Sequence, residues 1–152
     1  MVDQQPCASR PVPVLISLAF AQVTTDILLS LNEEGFGDLR LTHFLNVIRH
    51  MSGAGDRPAR LARLAGVTPQ AISLTLSELE KMGYVRREAD PDDQRSQLVF
   101  WAERGLRAGA ALERHFARAE ERWAAAVGQE SLESARVLLA AIAGGRDAEA
   151  PR

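Results

Sequence analysis

The sequence predicts a mainly α-helical protein interrupted by one small β-hairpin. Apolar residues recur at helical spacing along most of the 152 residues, and the pattern becomes strand-like only between Tyr84 and Trp101. Hydrophobic residues make up 46% and charged residues 25%, which is the balance of a folded soluble domain. A single cysteine, Cys7, excludes a disulfide framework and a multi-cysteine zinc site. We therefore expect one soluble, cytoplasmic domain.

The first predicted helix spans residues 14–32 and is apolar around most of its circumference. Such a helix is unfavourable on the surface of a monomer, so the pattern predicts burial against a partner. The uncharged stretch covers residues 11–25, which is shorter than the ~20 residues that a membrane-spanning helix needs. The apolar pattern also continues through Leu31, beyond an Ala-Phe-Ala sequence that resembles a signal-peptidase site. We interpret the segment as the first helix of the domain, and we expect no membrane association.

Two shorter helices are predicted next. Thr42 is a candidate N-cap for the second helix, whose buried face is predicted to hold Phe44, Leu45, Ile48 and Met51. Asp56 is the candidate cap of the third, with Pro58 in its first turn. The third helix is expected to end at Gly66 and to bury Leu61, Leu64 and Ala65.

The fourth helix has the clearest boundaries. Thr68 is the predicted N-cap, Pro69 occupies the first helical position, and Gly83 follows the end near Met82. Its inner face is predicted to be Ile72, Leu76 and Leu79. Residues 84–88 and 96–101 then read as two strands joined by a polar loop over residues 89–95, which together make a hairpin.

The C-terminal third predicts two more helices. The fifth covers about residues 103–127, and its apolar positions step by four and three like the seam of a coiled coil: Leu112, Phe116, Ala119, Trp123 and Ala126. The sixth begins at Ser131 and closes at Gly144 and Gly145, with an inward face predicted at Leu132, Ala135, Leu139 and Ile142.

Residues 57–83 form a short helix, a tight turn and a second helix, an arrangement that can place the second helix in a DNA major groove. Glutamine can contact adenine, serine hydroxyls can bond a base or a phosphate, and a leucine can pack on a thymine methyl. Free N–H groups at the helix start can bind a phosphate. The predicted recognition residues are Thr68, Pro69, Gln70, Ala71, Ser73, Leu74 and Ser77. The alternative is an ordinary amphipathic helix with a solvated polar face.

The charge distribution is weakly in favour of nucleic acid. The net charge is −2, but residues 57–95 carry +1 and are the only third of the chain above zero. Arginine, which is 17 of the 18 basic residues, suits phosphate and base edges, although genomic base composition explains the bias equally well. The predicted phosphate and wing residues are Arg57, Arg60, Arg63, Arg86, Arg87, Asp93, Gln94 and Arg95. Asp93 is expected to pair with Arg95, Arg86 or Arg87, and Arg95 is expected at the loop tip, within reach of a minor groove.

These segments resemble the MarR family of bacterial winged-helix transcription regulators. The resemblance rests on Arg60–Thr68, on Ile72-Ser73, on Leu79–Arg87, and above all on the Asp90–Ser96 wing followed by Glu103-Arg104-Gly105. It departs from the family at Leu74, where a basic or long polar residue is common, and at Ala102, where a threonine cap is usual. It implies a winged helix-turn-helix with flanking dimerisation helices, binding a pseudo-palindromic double-stranded DNA site as a homodimer.

On this resemblance the expected organisation is a tail over residues 1–13, one domain over residues 14–146, and a tail over residues 147–152. Within the domain, residues 14–34 and 103–146 would form the dimer and residues 41–101 the winged-helix lobe. Relatives commonly sense a small molecule, which would imply an effector crevice near Phe20, His43, Phe44 and Phe116, although aromatic residues at helical spacing are more often core.

Other chemistry finds little support in the sequence. Cys7 has only Arg10 nearby to lower its thiol pKa, so redox sensing is a minor alternative. The three histidines include no pair at helical spacing, so no metal or other cofactor is predicted. The sequence contains no glycine-rich phosphate loop and no nucleophile elbow, so no enzymatic activity is predicted. The main rival hypothesis is a winged-helix protein–protein module with weak or no DNA binding, favoured by Leu74 and the near-neutral lobe.

Overall fold

The structure is a computed structural model that describes residues 9–144, except for the side chains of Gln94 and Arg95. Cys7 and most of both predicted tails therefore lie outside the described residues. The chain divides into two compact units, residues 1–112 and residues 113–152.

Helix α1 is Val12–Glu33, so the predicted first helix is confirmed. Its C-terminal half enters the core through Ile27 and Leu31, each 2% exposed. Several apolar side chains of its N-terminal half are exposed, including Leu18 and Phe20, which are 45% and 47% exposed, whereas Val23 packs against the core. By length and composition α1 could cross a membrane; 17% of its most apolar stretch is buried, and Ile27 and Leu31 belong to the buried cluster.

The second predicted helix is shorter than expected and divided. Helix α2 is Leu41–Asn46, and a 3₁₀ helix, Ile48–His50, follows it. The prediction of Thr42 as the N-cap is wrong, because Arg40 occupies that position and Thr42 lies inside the helix. The residues that α2 and the following turn bury completely are His43 and Val47. Val47 is not among the predicted buried positions, and His43 is predicted for an effector crevice, with core packing as the alternative.

Helices α3, Pro58–Ala65, and α4, Pro69–Lys81, form the helix-turn-helix. The N-cap of α3 is Arg57 and not the predicted Asp56, which is buried and pairs through its backbone with Val99. The core side of α3 consists of Leu61 and Ala62, so the predicted burial of Leu64, which is 36% exposed, is wrong. Gly66 ends α3 at φ +67°, a left-handed conformation that glycine adopts without strain.

The hairpin consists of β1, Val85–Asp90, and β2, Asp93–Trp101. Both strands are longer than predicted, because residues 89, 90 and 93–95 belong to strands and the turn is only Pro91-Asp92. Pairing runs in register from Val85 with Trp101 to Ala89 with Gln97, and then shifts so that Asp90 pairs with Asp93. Residues 94–96 therefore form a bulge, the kind of irregularity that bends a strand and redirects its side chains.

The core of the first unit lies between α1, the helix-turn-helix, the hairpin and the start of helix α5, Glu103–Val127. Tyr84 is fully buried at its centre, and its hydroxyl donates to Asp38 at 2.6 Å. Gly105 sits directly on this residue, since a Cβ added there would lie 2.0 Å from the Tyr84 carbonyl oxygen. The glycine of the Glu-Arg-Gly sequence is thus explained by close packing.

The second unit contains the remainder of α5 and helix α6, Gln129–Gly144. Arg136 of α6 bonds Glu120 of α5 at 3.2 Å, which links the two helices. No residue of α6 is buried, so the predicted inward positions Leu139 and Ile142 are wrong for a single chain, where they are 49% and 51% exposed.

Candidate nucleic-acid interface

The outward face of α4 carries the residues predicted to read DNA bases. Pro69, Gln70, Ser73 and Leu74 are exposed, and together with Ser77 they line a shallow, open depression along the helix. Leu74 is 65% exposed, the largest exposed fraction among the large apolar residues described. Opposite this face, Ile72, Leu76 and Leu79 are each at most 1% exposed, as predicted. Burial of one face therefore fixes which side chains α4 presents to a partner.

Local contacts hold both ends of α4. At its start the Thr68 hydroxyl oxygen accepts from the Ala71 amide at 3.2 Å, which confirms the predicted N-cap. At its end Gly83 adopts φ +78°, and the amides of Gly83 and Tyr84 donate to carbonyls of the last turn. Pro69 has no N–H and the Ala71 amide is already bonded to Thr68, so the Gln70 amide is the first-turn donor that a phosphate can use.

A second attachment of α4 was not predicted from the sequence. The Glu78 carboxylate lies beside the buried His43 imidazole, with 3.0 Å between Oε2 and Nε2, and it also bonds Arg40. The Nδ1 atom of His43 accepts from the Arg40 amide at 3.1 Å, so both ring nitrogens have partners. The hydrogen bond from His43, with that from Arg40, lowers the pKa of Glu78 below its usual value. The cluster joins α2 to the C-terminal part of the predicted recognition helix, and no local sequence pattern signals it.

Arg87 lies inward, which differs from its predicted role at a phosphate. Only 18% of its side chain is exposed, and its guanidinium extends along α4 to the Ser77 hydroxyl at 2.9 Å and the Ser73 carbonyl at 3.4 Å. Glu80 lies 3.3 Å away. Arg87 therefore links β1 to α4 and fixes the Ser77 side chain.

The other predicted phosphate contacts are at the surface, and several have acidic partners. Arg57 bonds the buried Asp90, Arg60 bonds the buried Asp56, and Arg86 bonds Glu88 at 2.8 Å. Each of these three guanidiniums is still about half exposed, so each keeps N–H groups available for a second acceptor. Arg63 is exposed on α3.

The wing, residues 90–95, differs in shape from the prediction. Its tip is Pro91-Asp92, whereas the backbone of Arg95 lies in the bulge of β2, three residues beyond the turn. Asp93 is exposed and is engaged in a polar or electrostatic contact. The side chains of Gln94 and Arg95 lie outside the part that the structure describes, so their predicted minor-groove contact stays a prediction.

The four residues predicted for an effector crevice lie in different surroundings. His43 is fully buried and bonded to Arg40 and Glu78, and Phe44 is half-buried against the core. Phe20 and Phe116 are 47% and 39% exposed. Within residues 9–144 no three metal-ligating side chains come together to hold a metal ion.

A large apolar surface remains exposed on the flanking helices. In the first unit it comprises side chains of the N-terminal half of α1, namely Val12, Val14, Leu18 and Phe20. In the second unit it comprises Phe116, Trp123, Val127, Val137, Leu138, Leu139 and Ile142, each between 39% and 64% exposed. In each unit, large apolar side chains exposed in this number favour burial against a partner surface.

Comparison with known proteins shows what the lobe is similar to. Residues 42–96, which span α2, the helix-turn-helix and most of the hairpin, match the family model described as MarR family. The winged-helix lobe is therefore similar to the MarR family. No curated protein matches the sequence.

Solved structures extend the similarity beyond the MarR lobe. CouR from Rhodococcus jostii RHA1, solved with p-coumaroyl-CoA, is 24% identical with a TM-score of 0.69, over 91% of this chain and 95% of CouR. Streptococcus pneumoniae FabT, solved with DNA, is 16% identical with a TM-score of 0.69, over 87% and 95% of the two chains. The Mycobacterium tuberculosis MarR family protein Rv2887, solved with salicylic acid, is 27% identical with a TM-score of 0.62, over 88% and 97%. The winged-helix fold with flanking helices is therefore shared along nearly the whole chain.

Proposed function

We propose that this protein is a cytoplasmic transcription regulator that binds double-stranded DNA sequence-specifically as a homodimer, without catalytic activity. The observation that carries the proposal is the outward face of α4. Hydrogen-bonding and apolar side chains alternate there over a shallow depression, and the opposite face is fully buried. A helix presented in this way, and followed by a hairpin, is the arrangement that enters a major groove with the hairpin beside it.

The chemistry of the face supports base recognition. Gln70 supplies an amide that can donate and accept at adenine, and Ser73 supplies a hydroxyl that can adapt to either role. Leu74 can contact a thymine methyl, and because it is 65% exposed it loses water on binding. The Gln70 amide, Arg60 and Arg63 can bind the adjacent phosphates.

The exposed apolar surface on α1, α5 and α6 supports a homodimer. Burial of these side chains by an identical surface removes them from water, and each contributes on the order of 1 kcal/mol when half of its area is covered. A dimer supplies two α4 helices, which fit half-sites whose centres lie about 10 bp apart in a pseudo-palindromic site.

We further propose that a small-molecule effector releases the protein from DNA, so that it acts as a repressor. CouR is a transcriptional repressor solved on a 23-mer DNA duplex, and it has also been solved with p-coumaroyl-CoA. Release requires only that the effector binds more tightly to a dimer in which the two α4 helices do not match the DNA repeat. The predicted effector residues are Phe20, His43, Phe44 and Phe116.

A second candidate is a winged-helix module that binds another protein. It is favoured by the exposed Leu74 and by the acidic partners of Arg57, Arg60 and Arg86, which reduce the positive potential of the lobe.

Selection from a random duplex library, followed by titration of the selected duplex, separates the two functions. We expect a pseudo-palindrome, and we expect Gln70→Ala and Leu74→Ala each to weaken binding by about 1–3 kcal/mol without changing affinity for unrelated DNA. Gln129→Ala, the same change at an exposed position on α6, is the control and should bind as wild type. Failure to enrich any sequence at low salt would favour the protein-binding module.

A further inference from the structure

A buried carboxylate on the hairpin has a role that its charge alone does not predict. We propose that Asp90 and Arg57 form a positioning pair that holds the wing in its DNA-binding conformation, so that Asp90 promotes DNA binding although it is negatively charged. The inference rests on the proposed function, because it concerns how the same surface meets DNA.

Both oxygens of the Asp90 carboxylate accept hydrogen bonds. Its side chain is 1% exposed, and its Oδ2 atom accepts a hydrogen bond from Nε of Arg57 at 2.8 Å, with Nη2 in ion-pair contact at the same distance. Its Oδ1 atom accepts from the Asp92 amide at 3.0 Å, which fixes the Pro91-Asp92 turn. The Asp92 amide is the main cause, and Arg57 a further one, of a pKa for Asp90 below its usual value, so the carboxylate is ionised at neutral pH. One side chain therefore joins the turn of the wing to the start of α3.

Arg57 is placed for this contact and not for helix capping. It occupies the N-cap position of α3, where serine, threonine, aspartate and asparagine are favoured, and its side chain makes no capping bond. Its guanidinium instead binds Asp90 in the charge-assisted geometry that an arginine fork allows. The neighbouring residue, Asp56, bonds Val99 of β2 through its backbone, with both N···O distances at 2.9 Å. Two consecutive residues thus hold one strand each, β2 through Val99 and β1 through Asp90.

The position of the pair explains why the wing depends on it. Asp90 is the last residue of β1 and the partner of Asp93, at the point where the strand register shifts. The bulge of residues 94–96 follows directly, so the direction in which β2 leaves the turn depends on where Asp90 is held. A wing without this attachment samples several orientations, and DNA binding must then select one of them at a cost in affinity.

Simple electrostatics predicts the opposite change in DNA affinity when Asp90 is replaced. A carboxylate near DNA repels phosphates, so its neutralisation by itself raises affinity, by about twofold for one exposed charge. Removing Asp90 would also release the Arg57 guanidinium for a phosphate contact. The positioning role and the purely electrostatic role therefore give DNA affinities that change in opposite directions.

The experiment compares Asp90→Asn with Asp92→Asn in the full-length protein on the selected duplex. The two variants remove the same charge two residues apart, and Asp92 is exposed at the tip. We expect Asp90→Asn to weaken binding about tenfold, which is the loss of about one base-directed contact per half-site, and Asp92→Asn to bind as tightly as wild type or slightly tighter. Amide hydrogen exchange in the free protein should be faster across residues 86–97 in Asp90→Asn than in Asp92→Asn.

Arg57→Lys is a second variant. It keeps a positive charge beside the buried Asp90 carboxylate. The positioning role predicts weaker binding, because an ammonium cannot reproduce the two-nitrogen contact with Oδ2, whereas a phosphate contact alone predicts nearly unchanged affinity. The proposal is overturned if Asp90→Asn binds DNA as tightly as Asp92→Asn, or if Arg57→Lys binds as wild type. Absence of DNA binding by the wild-type protein would instead refute the proposed function.

Discussion

Replacing Leu139 with glutamate tests whether the exposed apolar surface of α6 is a dimer interface. Leu139 is 49% exposed and lies in the apolar series with Leu138 and Ile142. In a single chain the substitution removes little buried area, so the fold should be retained. In a twofold dimer every substitution occurs twice, once in each copy of the same surface.

The magnitude follows from the exposed fraction. Full burial of a leucine side chain contributes about 1.5–3 kcal/mol, so covering the exposed half of Leu139 contributes about 1 kcal/mol per copy and about 2 kcal/mol per dimer. A carboxylate left without a partner in the interface costs at least a further 1 kcal/mol per copy. The dimer should therefore lose at least about 4 kcal/mol, which raises its dissociation constant about a thousandfold.

Sedimentation velocity over a range of concentrations measures the constant directly. Leu74→Glu is the matched control, because the same change is made at a leucine with a similar exposed fraction on the outward face of α4. We expect Leu74→Glu to dimerise as wild type and to lose DNA binding, whereas Leu139→Glu becomes monomeric at micromolar concentration. A dimer of unchanged affinity in Leu139→Glu would refute the assignment of α6 to the interface.

Two further predictions concern stability. Thr68→Ala should lower the free energy of unfolding by about 1 kcal/mol and the Tm by a few degrees because α4 loses its N-cap, and Thr68→Ser should restore both; equal melting of the Ala and Ser variants in calorimetry would contradict the capping role. Asp38 has a pKa below its usual value, since hydrogen bonds from Tyr84 and Arg104 outweigh the opposing effect of its burial. A lowered pKa in the folded state gives stability that is complete above about pH 4 and is lost as the pH falls below that value. The Tm advantage of wild type over Asp38→Asn should therefore shrink on acidification, and an advantage independent of pH would show that the charge of Asp38 is not involved.

The sequence was most informative where local chemistry decides the structure. The cap at Thr68, the proline after it and the glycine at position 83 determine α4 almost by themselves, and its buried and exposed faces were assigned correctly. Local sequence also predicts the presence of the hairpin correctly. The family resemblance stated from the Asp90–Ser96 and Glu103–Gly105 motifs is confirmed for residues 42–96.

The errors occur where distant residues decide. His43 is fully buried because Glu78, 35 positions away, provides an acceptor for its imidazole, and no pattern around His43 contains that information. Asp56 resembles a helix cap, but Val99 pairs with its backbone and moves the start of α3 to the next residue. Arg87 resembles a surface cation, yet two α4 residues supply its acceptors.

The exposed positions on α6 have a different origin. A helical apolar stripe indicates that something covers it, and the sequence does not say whether the cover is the same chain or another copy. Leu139 and Ile142 were assigned to the interior for that reason, and in the single chain both remain half exposed.

The contacts at the beginning of α5 have a mechanical consequence. Arg104 bonds the Met82 carbonyl at 2.9 Å, the Ala102 amide bonds the Tyr84 carbonyl at 3.0 Å, and Gly105 leaves no gap above Tyr84. The first turn of the long helix is thereby joined to the final turn of α4 without an intervening hinge. A tilt of that first turn is therefore expected to move α4 together with it.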